Sequence, residues 1–319
     1  MKQFVKLFNK VGGKALFKQY LKAHVLLFAV FQILSQGFSR KSLELVRNSV
    51  NNRILRKLRK KYRKFIAEYI QNNDSSTLEQ KRSDYIWICW FQGIENAPDV
   101  VKQCYESIKL NFAHKQIVLI TDDNYKSYIT FPDYIQDKID RGLITRTHMS
   151  DLLRTELLIK YGGTWIDATV YCSGENVPEY MIDSDLFMFQ MLKPGLDGQC
   201  CRISSWFITS CSNNPILLLT RALLYEYWKK NDSLIDYFLF HDMVELSIET
   251  YPEEWDKVIP FSNSVPHILL LRLFDEFDEN TWNTVKQMTP IHKLTYKFDK
   301  ENALKKDTYF DVIFTSKLN

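Results

Sequence analysis

Between His148 and Cys172 the chain reads His-Met-Ser-Asp-Leu-Leu-Arg-Thr-Glu-Leu-Leu-Ile-Lys-Tyr-Gly-Gly-Thr-Trp-Ile-Asp-Ala-Thr-Val-Tyr-Cys, and no other stretch constrains the fold as strongly. Leu152, Leu153, Leu157, Leu158 and Ile159 recur at helical spacing from Ser150 to Lys160. That pattern predicts an amphipathic helix with Asp151, Arg154 and Lys160 on its other faces. Gly162 and Gly163 supply the permissive backbone that stops such a helix and turns the chain sharply. Thr164-Trp165-Ile166 is then a β-prone run ending at Asp167. In α/β sheets, ligands bind outside the carboxyl ends of the strands. The segment therefore predicts a helix–turn–strand unit that draws Asp151, Arg154 and Asp167 toward one site. Such a site suits a phosphorylated, polyhydroxylated substrate.

The surrounding sequence alternates in the same way. Tyr85–Phe91 reads as a buried strand, and Pro98 opens a helix that runs to about Phe112. Gln116–Thr121 is a second strand, followed by short helices over 123–128 and 132–141. Strands are expected at 185–191 and 203–209, with Pro194, Gly195 and Gly198 between them as a flap over an acceptor. A helical region spans 214–250, with further helices at 253–258 and 266–280. Strand–helix–strand order with short links predicts an α/β domain with a mainly parallel, doubly wound sheet.

Taken singly, the residues of the central segment say little. An Asp after a strand commonly forms a turn, Asp151 fits a first-turn acid favoured by the helix dipole, and Arg154 fits a solvated helix face. The ordered set is more specific: Ser-Asp-x-x-Arg, seven residues, Gly-Gly, three residues, Asp-x-Thr. It resembles the donor-site segment of sugar transferases with a DXD motif, glycosyltransferase family 32 and its relatives, and is most similar to their capsular polysaccharide synthesis branch. The stretches Ile86–Gly93 with Asn96-Ala97-Pro98, Asp133-Tyr134-Ile135, Trp206-Phe207-Ile208, Leu234–Phe238 and Ile291–Lys297 extend the resemblance across 84–297.

The resemblance implies a GT-A type nucleotide-sugar fold over 84–319, preceded by a linker at 74–83. It implies that Asp151 and Arg154 hold hydroxyls of the donor sugar. Asp167, matching the first DXD acid, would face the ribose and a metal-bound diphosphate. Trp90, Gln92, Asp122, Gly163, Thr169 and Lys293 complete the donor-binding set. Trp90 and Gln92 would cradle the nucleobase, Asp122 would touch the ribose, and Lys293 would help neutralise the diphosphate. His292 would join Asp167 as a late ligand for Mn²⁺ or Mg²⁺, although a surface His near a strand end fits the sequence equally well. Thr169 departs from the broader pattern, because it stands where the second acid normally ligates the cation, and a neutral hydroxyl is a poorer ligand for a hard ion. The activity implied is transfer of a hexose, with retention, from a nucleotide diphosphate sugar (UDP-linked) to a lipid-linked oligosaccharide acceptor. The alternative that Thr169 raises is a catalytically inactive, glycan-binding or scaffolding relative in polysaccharide assembly.

Charge divides the chain. The 319 residues carry a net +4. Residues 1–73, however, hold 17 Lys or Arg against only Glu44 and Glu68, while the remainder holds 25 basic and 36 acidic residues. The apolar run Val25–Phe31 with Ile33-Leu34 sits between Lys10, Lys14, Lys18 and Lys22 on one side and Arg40 and Lys41 on the other. It is about half the roughly 20 residues a bilayer-spanning helix needs. An in-plane anchor on an anionic membrane surface is therefore expected for this basic helical segment, with a helical hairpin packed on the body as the alternative. The expected location is cytoplasmic, peripheral at the inner face of the cell membrane. Nucleic acid is not an expected partner, since the basic region lacks aromatics at base-stacking spacing and the body is acidic. The six cysteines show no metal-site spacing and read as reduced core thiols.

Overall fold

The computed structural model describes residues 13–74, 77–174, 176–192 and 200–315. The expected flap at Pro194, Gly195 and Gly198 lies outside the described residues. The first elements among the described residues are the helices α1 (Gly13–Lys22), α2 (Leu26–Gln36) and α3 (Arg40–Asn72). The body then runs β1 (Tyr85–Cys89), α4 (Asp99–Asn111), β2 (Gln116–Ile120), two short helices at Tyr125–Tyr128 and Asp133–Asp140, and α5 (Arg146–Tyr161). After these come β3 (Gly163–Ile166), β4 (Val170–Cys172), β5 (Leu186–Gln190) and β6 (Ile203–Ser210). Helices α6 (Pro215–Lys230) and α7 (Leu239–Thr250), a short α8 (Ile268–Arg272), α9 (Glu279–Met288) and the strand β7 (Ile291–Lys293) follow.

The central sheet has the order β2-β1-β3-β6-β5. β1 pairs in parallel with β2 and β3, while β6 is antiparallel to both its neighbours. Four of the five strands thus point one way and only β6 is reversed, which agrees with the expected mainly parallel α/β sheet. Alternation along β1 puts Trp87 into the core on one face and Ile86 and Ile88 into the core on the other. The first core also takes Leu152, Leu153, Leu157 and Leu158 of α5 and Trp165 of β3. The second takes Val101 and Ile108 of α4 with Ile166, Phe187, Phe189 and Phe207. Burial on both faces explains why these strands read as continuous apolar runs.

The expected helical region over 214–250 divides into α6 and α7. Residues 231–238 turn between them, where Asp236 Oδ1 accepts from the Phe238 amide at 3.0 Å. A second sheet, absent from the sequence reading, pairs β4 antiparallel with β7, setting Val170 opposite Lys293 and Tyr171 opposite His292. At the amino end, α3 buries Val46, Val50, Ile54, Leu58 and Tyr62 in the first core and packs on α6 and α7. The basic segment is therefore docked along one face. Leu27, Phe31, Leu34 and Phe38 on the outer side stay exposed. Among the described residues, no helix is long and apolar enough to cross a membrane. The expected linker is strapped to the body at its end, with the Lys81 amide donating to Ser212 Oγ and the Ser212 amide donating to Lys81 O.

Candidate active site

Helix α5 begins at Thr145, whose hydroxyl accepts from the His148 amide at 3.3 Å, a side-chain cap of the usual kind. Asp151 and Arg154, three residues apart, share one face of the helix and are both buried. Gly162 closes α5 at φ +69, a conformation that L side chains rarely adopt. β3 then carries the chain to Asp167, at the carboxyl edge of the sheet. There one Arg154 guanidinium nitrogen stands 3.4 Å from Asp151 Oδ1 and 3.5 Å from Asp167 Oδ1. Another donates to the Ser205 carbonyl on β6. The guanidinium lies 4.9 Å above the Trp165 ring, whose Nε1 donates to Asp167 Oδ1 at 3.0 Å. The rigid Arg154 fork reaches two carboxylates and a carbonyl, so α5, β3 and β6 are tied together at one point. The three residues expected to converge do so.

Two residues that the sequence reading did not single out hold Asp151 in place. Trp228 Nε1 on α6 donates to His148 Nε2 at 2.9 Å. Because an indole N–H can only donate, the His148 proton sits on Nδ1, which donates to Asp151 Oδ2 at 3.2 Å. Burial pushes the Asp151 carboxyl up, but Arg154 and the His148 hydrogen bond outweigh it and hold the group below its ordinary value. Asp151 is thus a buried carboxylate with each oxygen partnered. The spacing of His148, one helical turn before Asp151, was visible in the sequence; the indole from α6 was not.

A cavity of about 530 Å³ opens along the carboxyl ends of β1 and β3, walled by Trp90, Gln92, Arg146, Arg154, Asp167 and Lys293. A second chamber of about 380 Å³ shares Arg154, Asp167, Tyr237 and Lys293 with the first. It extends toward Trp206, Asn263, His241 and His267. The turn between α6 and α7 supplies Tyr237 to both. Trp90 packs edge-on against Tyr296 with ring centres 5.4 Å apart, and among the described residues its indole N–H has no partner. His241 Nδ1 likewise has none, and burial lowers its titration to about 4, so the ring is neutral. His267 donates from Nδ1 to the Asn263 carbonyl at 2.7 Å.

Several expected site residues lie elsewhere. Gly163 is at the amino end of β3, away from the cavity at the carboxyl end. A Cβ there would come within 2.3 Å of the Tyr85 carbonyl, so this glycine serves close strand packing rather than donor contact. His292 faces away from the cavity, because alternation along β7 turns Lys293 toward the cavity and His292 into the protein core. It is fully buried beside Trp282 and Tyr171 and shares a 2.8 Å hydrogen bond with Ser173. It does not stand with Asp167 as a metal ligand. Asp122 borders a neighbouring cavity rather than the main one, and pairs with Arg146, which walls both. Arg146 itself had not been expected at the site; it lies 5.0 Å over the Phe91 ring.

The donor set for a cation is thin. Asp167 supplies one carboxylate and Thr169 one hydroxyl. Lys293 Nζ already bridges them, 3.3 Å from Asp167 Oδ2 and 2.5 Å from Thr169 Oγ1. Among the described residues, no three His, Cys, Asp or Glu side chains group closely enough to hold a metal ion. Mg²⁺-type ions at phosphate sites are held by one or two carboxylates, with waters and substrate phosphates completing the shell. This site supplies the Asp167 carboxylate alone, with Thr169 where the second acid of the expected Mn²⁺ or Mg²⁺ site would stand and the Lys293 ammonium beside both.

No curated protein matches this chain. Among solved structures, it is similar to the PaToxG glycosyltransferase at 17% identity, over 63% of this chain and 83% of that one, with a TM-score of 0.35. The family model described as capsular polysaccharide synthesis protein matches residues 35–313. That span takes in α3, both sheets and every residue converging on the cavity, and the chain belongs to the capsular polysaccharide synthesis protein family.

Proposed function

We propose that this protein is a glycosyltransferase with a GT-A type catalytic body. In this reading it moves a hexose, with retention, from a nucleotide diphosphate sugar (UDP-linked) to a lipid-linked glycan acceptor in capsular or exopolysaccharide synthesis. One observation carries the reading: an Asp151–Arg154–Asp167 cluster, its first two members buried and Asp167 half-buried, stands where two joined chambers meet at the carboxyl edge of the sheet. A nucleotide with a sugar attached needs a long, partly aromatic slot with fixed polar groups near its middle, and this arrangement supplies one.

The nucleobase stacks against Trp90, for roughly 1–3 kcal/mol if base–aromatic magnitudes carry over from nucleic-acid complexes. The diphosphate lies near Lys293 and Arg146, and the hexose turns into the second chamber, where Asp151 and Arg154 meet its hydroxyls. Trp206 offers an apolar ring face there, and His267 and Asn263 offer polar edges. The protein's contribution to rate is then positioning, plus stabilisation of charge growing on the leaving diphosphate. The leaving diphosphate takes the acceptor proton. With a single carboxylate beside the Lys293 ammonium, no step is routed through a divalent cation.

The docked basic helices, with an exposed apolar edge, hold the cavity near an anionic membrane where a lipid-linked acceptor resides. The test is transfer or donor hydrolysis by purified protein across a panel of nucleotide sugars. Asp167→Ala is expected to abolish turnover with the fold intact, and Arg154→Ala to lower it by about two orders of magnitude or more, as loss of a buried charge-assisted hydrogen-bond centre does. Near-normal transfer by Asp167→Ala would refute the assignment.

A further inference from the structure

We infer that Lys293 takes the place of a divalent cation, so that the protein binds and discharges its nucleotide diphosphate without a metal ion. The inference rests on the donor reading given above and adds the identity of the cation. Its first support is position. The Lys293 ammonium bridges Asp167 Oδ2 and Thr169 Oγ1, and its side chain is only 17% exposed. An ion bonded to both oxygens would stand about 2.0–2.6 Å from each, within the space the ammonium fills.

The second support is how firmly the stem is held. Lys293 lies opposite Val170 in the β4–β7 ladder, and the next amide, Leu294, donates to the Thr169 carbonyl at 2.9 Å. The strand pairing therefore fixes the lysine against the very residue it contacts. An ammonium has three donors. Two reach Asp167 and Thr169, and the third is left for a ligand oxygen in the cavity that Lys293 walls.

The third support is charge balance. Two carboxylates with a divalent ion sum to zero, and so do one carboxylate, one neutral hydroxyl and one ammonium. Thr169 and Lys293 thus compensate each other. A carboxylate at 169 would leave the lysine pair one charge short, and a divalent ion beside the lysine would leave it two charges in excess. Arg146 and Lys297 wall the same cavity and add positive charge facing a diphosphate.

Calorimetric titration of the full chain with UDP, GDP and dTDP, in excess EDTA and again in saturating Mn²⁺, tests this. The expected result is a nucleotide that binds with the same Kd within about twofold in both buffers. Lys293→Met keeps the apolar stem and removes the charge, and should weaken that binding by about tenfold or more in EDTA, as loss of a charge-assisted hydrogen bond does. Adding Thr169→Asp to Lys293→Met should restore binding in Mn²⁺ but not in EDTA. Binding by the unaltered protein that needs Mn²⁺ would overturn the inference and leave the donor reading standing. Unchanged binding by Lys293→Met would overturn it as well. Failure of all three nucleotides in both buffers would remove the donor reading, and this inference with it.

Discussion

Single side chains at this site act through whichever face of their strand they occupy. His292 and Lys293 are neighbours in sequence, yet one is sealed beside Trp282 and the other walls the cavity. Burial pushes His292 down to about 3, whereas in the unfolded chain it titrates near 6.5. Between those values the unfolded state holds a proton that the folded state does not, so stability rises with pH across that window and falls as acid is added. From pH 7 to pH 5 this one group is expected to remove about 2 kcal/mol of unfolding free energy. His292→Gln should shrink the difference between the two pH values in urea unfolding by about that amount, leaving the share of the similarly buried His241, whatever it does to stability at pH 7. An unchanged difference would mean that the imidazole is protonated in the fold.

At the scale of elements, α5 works as a lever with both ends fixed. Thr145 caps its start, Gly162 ends it, and Trp87 Nε1 donates to the Gly162 carbonyl at 2.9 Å. Between those points the hydrogen-bonded run Trp228–His148–Asp151 sets the rotation of the face that carries Arg154. His148 is accordingly a positioning residue. His148→Ala leaves a buried carboxylate oxygen without its donor, and kcat/KM is expected to fall by roughly 10–100-fold, the scale of a hydrogen bond to a charged group. His148→Gln, which keeps a donor, should recover a good part of that loss, while a purely packing role would leave both variants equally impaired. The β4–β7 ladder was not legible because each strand is three residues long and its partners are far apart in sequence, Val170 opposite Lys293. Short runs like these carry too few residues for periodicity to register.

The whole molecule is electrically lopsided. A basic helical layer lies against an acidic body, and Arg59 of α3 ties the two by pairing with Glu249. The core uses one face of this layer. Leu27 and Leu34 on the other side are 86% and 71% exposed, an apolar edge that nothing within the described residues covers. Basic residues near an anionic bilayer add about 1 kcal/mol each at physiological salt, and the apolar edge adds burial in the interface. The protein is therefore expected to sediment with vesicles containing anionic lipid and to be released by high salt. Replacing Leu27, Phe31 and Leu34 together with Ser should abolish retention on vesicles without altering nucleotide binding. Equal retention by the triple variant would place the contact elsewhere.

The local sequence determined the α5–Gly-Gly–β3 unit and the meeting of Asp151, Arg154 and Asp167, because both depend on periodicity and turn chemistry within some twenty residues, and the alternation of strands and helices along the chain announced the mainly parallel sheet. Gly163 shows the limit of that reach: its left-handed φ was implied, but the Tyr85 carbonyl that forbids a side chain there comes from another strand. Tertiary structure alone decided that His292 turns inward, that Trp228 orients His148, and that Lys293 lies between Asp167 and Thr169. Those contacts join residues 80 to 126 positions apart, and only the packing of sheet on helix determines which of them meet.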